Sequence, residues 1–281
     1  MYRHILGTKY IIKRVNRPTP VKQCVQTERW TERYQAATER LPNQIRHTAA
    51  RLYFQLARFN YEYHLLTRTN QTPAGRFRSY ELLNRHGKDS MLAAMAEFCG
   101  PDATIYDIGA NVGIYTLALA SSAKGRRLIA FEPAPVTAEQ LRANVDCNEL
   151  EKQVHIHQCA LGGTDDERPF YISTLPELSG FDRQSATRWG ASVAEVVSVP
   201  VRRLDTIQET MPAPDVIKLD VEGAGPEVLR GGQATIAEES PVFFIEPHEE
   251  ELSETQEMQS ILLGHDYRIE QYDDYWRCLP I

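Results

Sequence analysis

The run Tyr106-Asp107-Ile108-Gly109-Ala110-Asn111-Val112-Gly113 places an acid and two glycines at D-x-G-x-x-x-G spacing. An apolar stretch from Thr104 to Ile108 precedes it and reads as a buried strand. Val112 to Ala123 follows it and reads as a helix. A strand that turns on glycine into a helix lets the backbone approach a ligand closely. The helix N-terminus then offers free N–H groups beside that ligand. A carboxylate at the strand end repels a pyrophosphate but suits the ammonium or hydroxyls of S-adenosylmethionine. Because G-x-G-x-x-G order is absent, a nicotinamide-dependent oxidoreductase is disfavoured.

Three further clusters carry candidate chemistry. Glu132 closes the apolar run Leu128 to Phe131, where an acid can accept hydrogen bonds from both ribose hydroxyls of an adenosine; a surface carboxylate or a helix cap is its structural alternative. Lys218, Asp220 and Glu222 lie in and just past the apolar strand beginning at Val216. Buried charges are costly unless paired, so an inward lysine among acids marks either a site or an internal ion pair with Asp215. Glu246 and His248 end the next strand and would lie near Asp220 and Glu222. His248 is suited to removing a proton near neutral pH. Asp220, Glu246 and His248 together could also hold a divalent cation such as Mg that activates a hydroxyl.

The elements that must position these groups alternate. Strands are predicted at Thr104–Ile108, Leu128–Phe131, Val154–Cys159, Val216–Leu219 and Val242–Ile245, with helices at Val112–Ala123, Val136–Leu150, around Glu227–Leu229 and at Glu254–Leu263, the last capped by Ser253. Tyr267–Glu270 and Tyr275–Leu279 read as a closing hairpin, Phe170–Ser173 and Val196–Val201 as extra strands flanking a long loop from Thr174 to Glu195. Long loops of this kind are often lids or binding loops. Such alternation gives an α/β fold whose largely parallel sheet has helices on both faces and binds ligands at the carboxyl edge.

The chain has 281 residues, 42% hydrophobic and 25% charged, and suits one large domain with an appendage. Its charge is divided: residues 1–90 carry 17 Lys+Arg against 6 Asp+Glu, and the rest 14 against 32. That asymmetry suggests two modules, a basic helical region at 1–88 and a catalytic domain at 89–281. In the first, a helix from Glu28 to Arg40 is expected before Pro42, and Ile45, Ala49, Leu52, Leu56, Phe59 and Tyr63 make one apolar stripe. The stripe is expected to pack on the catalytic domain. The alternative is a basic amphipathic helix on an anionic membrane surface. Five cysteines in no C-x-x-C pair, no long apolar run and no signal-peptide core point to a cytoplasmic protein, peripheral to a membrane if that alternative holds.

Taken in order, Asp107 to Gly113, Phe131-Glu132-Pro133, Ala160-Leu161-Gly162, Arg203-Leu204-Asp205-Thr206, Ile217 to Gly223 and Ile245-Glu246 resemble the blocks of the FkbM family of S-adenosylmethionine-dependent methyltransferases, over roughly half the chain. The resemblance implies a Rossmann-like methyltransferase fold with an antiparallel last strand. It implies O-methylation, often of sugar hydroxyls in glycans, glycolipids or natural products. By matching positions, Asp107, Gly109, Asn111 and Gly113 would form the cofactor loop and Glu132 would hold the ribose. Cys159 and Ala160 would flank the adenine, and Lys218, Asp220 and Glu222 would belong to the catalytic strand end. The chain departs from the family pattern after Ala224, where Gly225-Pro226-Glu227 stands in place of an immediate further acid.

A sugar hydroxyl is therefore the expected acceptor, on a small molecule or a glycan, free or lipid-linked. A uronic acid carboxyl is a sub-case that needs no strong base. An RNA methyltransferase gripping phosphates through the basic region is an alternative, but no Asn/Asp-Pro-Pro-aromatic block follows the fourth strand, so nucleic acid is not the expected partner. A non-catalytic nucleoside-binding module is the other. The residues do not fix an oligomeric state.

Overall fold

The computed structural model describes residues 13–14, 43–84, 86–247 and 252–281. Cys24, the expected helix at 28–40, and His248 lie outside these residues. In chain order the first elements are β1 (Lys13–Arg14), α1 (Asn43–Tyr63), β2 (Arg68–Thr72), β3 (Gly75–Ser79) and α2 (Ser90–Phe98). Next come β4 (Thr104–Ile108), α3 (Ile114–Ser122), β5 (Arg127–Phe131), α4 (Pro135–Asp146), β6 (Val154–His157) and β7 (Ala160–Leu161). Then follow β8 (Asp166–Ser173), β9 (Val193–Arg202), α5 (Leu204–Gln208), β10 (Val216–Leu219), α6 (Gly225–Arg230) and α7 (Gln233–Glu239). The chain closes with β11 (Val242–Ile245), α8 (Leu252–Gly264), β12 (Tyr267–Gln271) and β13 (Trp276–Pro280).

The main sheet runs β1-β12-β13-β11-β10-β4-β5-β6. The strands β6, β5, β4, β10 and β11 are parallel, and β13 is antiparallel to both β11 and β12. This is the expected sheet with its reversed last strand. Alternate residues feed opposite faces: Ile105, Leu128 and Phe244 join one apolar cluster, and Tyr106, Ile129 and Phe243 the other. Both faces are covered, which is why the strands read as unbroken apolar runs. A smaller sheet, β7-β9-β8, stands beside the main one and carries the long loop.

Some local expectations change. Ser253 lies inside α8, so it does not cap that helix. The Thr72–Gly75 turn joins a two-stranded hairpin, β2–β3, absent from the sequence reading. The apolar stripe of α1 does not pack on the domain: Leu52, Leu56, Phe59 and Tyr63 are each 51–55% exposed. Ala57, Asn60 and Tyr61 face inward instead. Polar anchors decide this orientation. Asn60 donates to the carbonyls of Tyr80 (2.6 Å) and Leu66 (2.8 Å), and Asn144 of α4 donates to the Tyr61 hydroxyl (2.9 Å). Phe77 of β3 shares a core cluster with Met91 and Leu117, so a boundary at residue 88 cuts through continuous packing.

Candidate active site

The carboxyl edge of the parallel strands holds the acids. Each of Glu132, Asp220 and Glu246 is the first residue past its strand, and its N–H extends the ladder to His157, Ile108 and Leu219 respectively. Between the first two, Gly109 and Gly113 take φ of +78° and +89°, and Asn111 takes +52°. A Cβ on Gly109 would fall 1.9 Å from the Asp220 carbonyl oxygen, so only glycine permits this turn. Gly113 lies against Leu141, and the Cβ it lacks would meet that side chain at 2.2 Å.

Asp107 and Lys218 are register partners on β4 and β10 and point to the same face. Lys218 Nζ lies 3.1 Å from Asp107 Oδ1 and 3.2 Å from Asp220 Oδ2, and donates to the Gly109 carbonyl at 3.0 Å. Burial works against its charge, but Asp107 and Asp220 outweigh it and raise Lys218 above the ordinary lysine range. A lysine held charged in this way is a fixed cation, not a base. Asp107 is 1% exposed, and its Oδ2 accepts from the Thr116 hydroxyl (2.6 Å) and N–H (3.1 Å). The acid thus ties the loop down from beneath. The ion pair with Asp215 does not form; Asp215 accepts from the Thr104 N–H (2.7 Å) at the opposite strand end.

Glu132 is 7% exposed, neither a surface acid nor solely a cap. Its oxygens accept from the N–H groups of Ala134 and Asn111, both at 2.9 Å. Burial pushes the carboxyl up to about 7, against the pull of those two N–H groups and of Lys218.

A cavity of about 590 Å³ gathers most of the expected residues: Gly109, Asn111, Glu132, Cys159, Ala160, Lys218, Asp220, Glu222 and Glu246 all line it. Asp107 and Gly113 shape the loop from behind and do not line the cavity. Pro176, Leu178, Ser179, Gly180 and Phe181, from the long loop, form part of the wall. Among the described residues, no group of three His, Cys, Asp or Glu side chains could hold a metal; Asp220 and Glu246 are in the cavity, but His248 is outside the described residues. Glu227 faces Arg168 of β8 at 2.7 Å, so the departure after Ala224 directs that acid to an ion pair outside the cavity.

Sequence reasoning missed His86, Asp89, Tyr115 and Asp274, which also line the cavity. Asp89 caps α2 by accepting from the Leu92 N–H (2.8 Å), and the Asp89-Ser90 start of that helix was the available signal.

A model of the methyltransferase FkbM domain matches residues 107–269. The chain belongs to the FkbM methyltransferase family. The family member is 30% identical over 146 residues to Methyltransferase 1 of Beauveria bassiana, covering 46% of this chain and 58% of that one. Methyltransferase sdnD of Sordaria araneosa is 30% identical over 153 residues, covering 45% of this chain and 59% of that one. The match thus spans under two thirds of either relative's length. A solved structure of an FkbM methyltransferase from Methylobacillus flagellatus KT is 21% identical with a TM-score of 0.45, over 88% of this chain and 57% of that one. Among the described residues, no helix of this family member is long and apolar enough to cross a membrane.

Proposed function

We propose that the protein is an S-adenosylmethionine-dependent O-methyltransferase whose acceptor is a sugar hydroxyl or uronic acid carboxyl of a glycan, glycolipid or natural product. The observation that carries this reading is the single cavity joining Glu132 at one end to Asp220 and Glu246 at the other. The lining fits the cofactor. Gly109 brings bare backbone to the cavity wall, and the buried Glu132 carboxylate can accept from ribose hydroxyls. Cys159, Ala160 and Leu161 supply apolar wall for an adenine. The bound cofactor would supply an electrophilic methyl group on a sulfonium.

This chain's residues would do the rest. Lys218 fixes Asp220 beside the Gly109 carbonyl and so sets the shape of the strand end. Aligning donor and acceptor oxygen supplies much of the rate of an in-line transfer. The test is a panel of neutral methyl glycosides and uronic acids incubated with cofactor labelled in its methyl group. Label in a base-stable ether supports hydroxyl methylation, and label in a base-labile ester supports carboxyl methylation. Label accepted only by RNA would overturn the reading.

We also propose that α1 rests on an anionic bilayer, which suits a lipid-linked acceptor and a peripheral place in the cell. Leu52, Leu56, Phe59 and Tyr63 form its exposed apolar side, and Arg58 of the same helix and the hairpin's Arg68, Arg76 and Arg78 are exposed.

A further inference from the structure

His86 lies in the loop before α2, lines the cavity, and has its Nδ1 2.9 Å from Asp89 Oδ2. The other Asp89 oxygen accepts from the Tyr115 hydroxyl (2.6 Å) as well as from the helix cap. Ser90 donates to Asp274, which ties the loop to the turn between β12 and β13. Burial alone would raise Asp89, but its bonds to His86, Leu92 and Tyr115 outweigh that and hold it below the ordinary carboxylate value. An ionised Asp89 can only accept a hydrogen bond here, so in the neutral ring Nδ1 donates its N–H to Asp89 and Nε2 keeps the lone pair. Tyr115 stacks its ring under the Lys218 ammonium at 5.0 Å, which joins the loop to the strand end.

We propose that His86, oriented by Asp89, is the general base that takes the proton of a neutral hydroxyl acceptor; this rests on the O-methyltransferase reading above. The acceptor's oxygen–methyl bond forms as the sulfur–methyl bond breaks, and sulfur keeps the bonding pair. The hydroxyl proton passes to His86 Nε2 and then to water. The surroundings favour a neutral acceptor over a carboxylate. Asp89, Asp220, Glu246 and Asp274 line this end of the cavity. Lys88, in the same loop, lines the cavity too, as does Lys218, which pairs with Asp107 and Asp220. A uronate would bring a further carboxylate beside these acids.

The test compares the full chain with His86→Gln and Asp89→Asn. In the first arm, ¹⁵N-histidine NMR of the S-adenosylhomocysteine-bound protein identifies the His86 signal by its loss in His86→Gln. The expected tautomer has hydrogen on Nδ1, shifted by Asp89→Asn; hydrogen on Nε2 in the neutral ring overturns the proposal whatever the acceptor. In the second arm, methyl α-glucoside and glucuronic acid are offered with methyl-labelled cofactor. His86→Gln should lower kcat on the glucoside about 10²- to 10⁴-fold and change the pH profile of the rate measured at saturating cofactor. Its calorimetric Kd for S-adenosylhomocysteine should stay at the unsubstituted value, which separates loss of the base from loss of the fold. Turnover of glucuronic acid in preference to the glucoside, or an unchanged pH profile, overturns the proposal while leaving the methyltransferase reading intact. Loss of cofactor binding in the unsubstituted protein would overturn that reading instead.

Discussion

The two ends of the cavity are built differently. At the cofactor end, Gly109, Asn111 and Glu132 lie within 25 residues of one another along the chain, and both Glu132 oxygens are held by backbone N–H groups. At the end proposed for the acceptor, His86, Asp89, Tyr115, Lys218, Asp220 and Asp274 come from four separate segments, and side chains hold side chains. The first arrangement is set by a local strand-turn-helix. The second exists only once the sheet, α2 and the last hairpin have assembled.

The largest effect that would break this contrast is expected at Gly109. Alanine there must take φ of +78° and sit against the Asp220 carbonyl, so Gly109→Ala should cost about 3 kcal/mol or more, read from urea unfolding. A loss within experimental error would mean that the turn is looser than described.

Next is Glu132→Ala. Removing a charged acceptor for ribose hydroxyls should weaken S-adenosylmethionine binding by ~10- to 100-fold in calorimetry, with little change in the acceptor-end groups. The pH dependence sharpens the same point. The Glu132 value is raised from 4.5 to about 7 in the folded protein. The cofactor-free fold is therefore favoured by this group below about pH 4.5 and loses that advantage as pH rises through about 7. The ionised form accepts from both hydroxyls, so cofactor affinity should rise over the same interval, and Glu132→Gln should flatten both trends. A Kd independent of pH from 6 to 8 would contradict the ribose role.

The smallest structural effect is expected on α1. Phe59→Asp alters a half-exposed side chain, so stability should change by ~0.5 kcal/mol or less. Co-sedimentation with vesicles of phosphatidylglycerol should nevertheless fall sharply, and vesicles of phosphatidylcholine should bind neither protein. Equal binding of Phe59→Asp and the unsubstituted chain would remove the membrane proposal.

Legibility in the sequence follows the same division. The bounds of β4, β10 and β11 were readable residue by residue because strands buried on both faces are short apolar runs between breakers. The glycine loop and Glu132 were readable because their spacing is local. The hold of Asp107 on its own loop was not readable, since a strand-end acid shows no role until its Thr116 and Lys218 partners are known. The α1 stripe was read facing inward because apolar periodicity outweighs one asparagine in a pattern, whereas in the fold Asn60 and Tyr61 carry the contacts. His86 was invisible because nothing near it in the chain announces Tyr115 or Asp274, which lie 29 or more residues away.

The central claim is that the glycine loop and Glu132 bind the methyl donor. Calorimetric titration with S-adenosylmethionine, S-adenosylhomocysteine and NAD, repeated on Glu132→Ala, tests it most directly. Binding of the first two, weakened by the substitution, with no heat from NAD, is the predicted result; binding of NAD alone, or methyl-cycle ligands indifferent to Glu132→Ala, would contradict it.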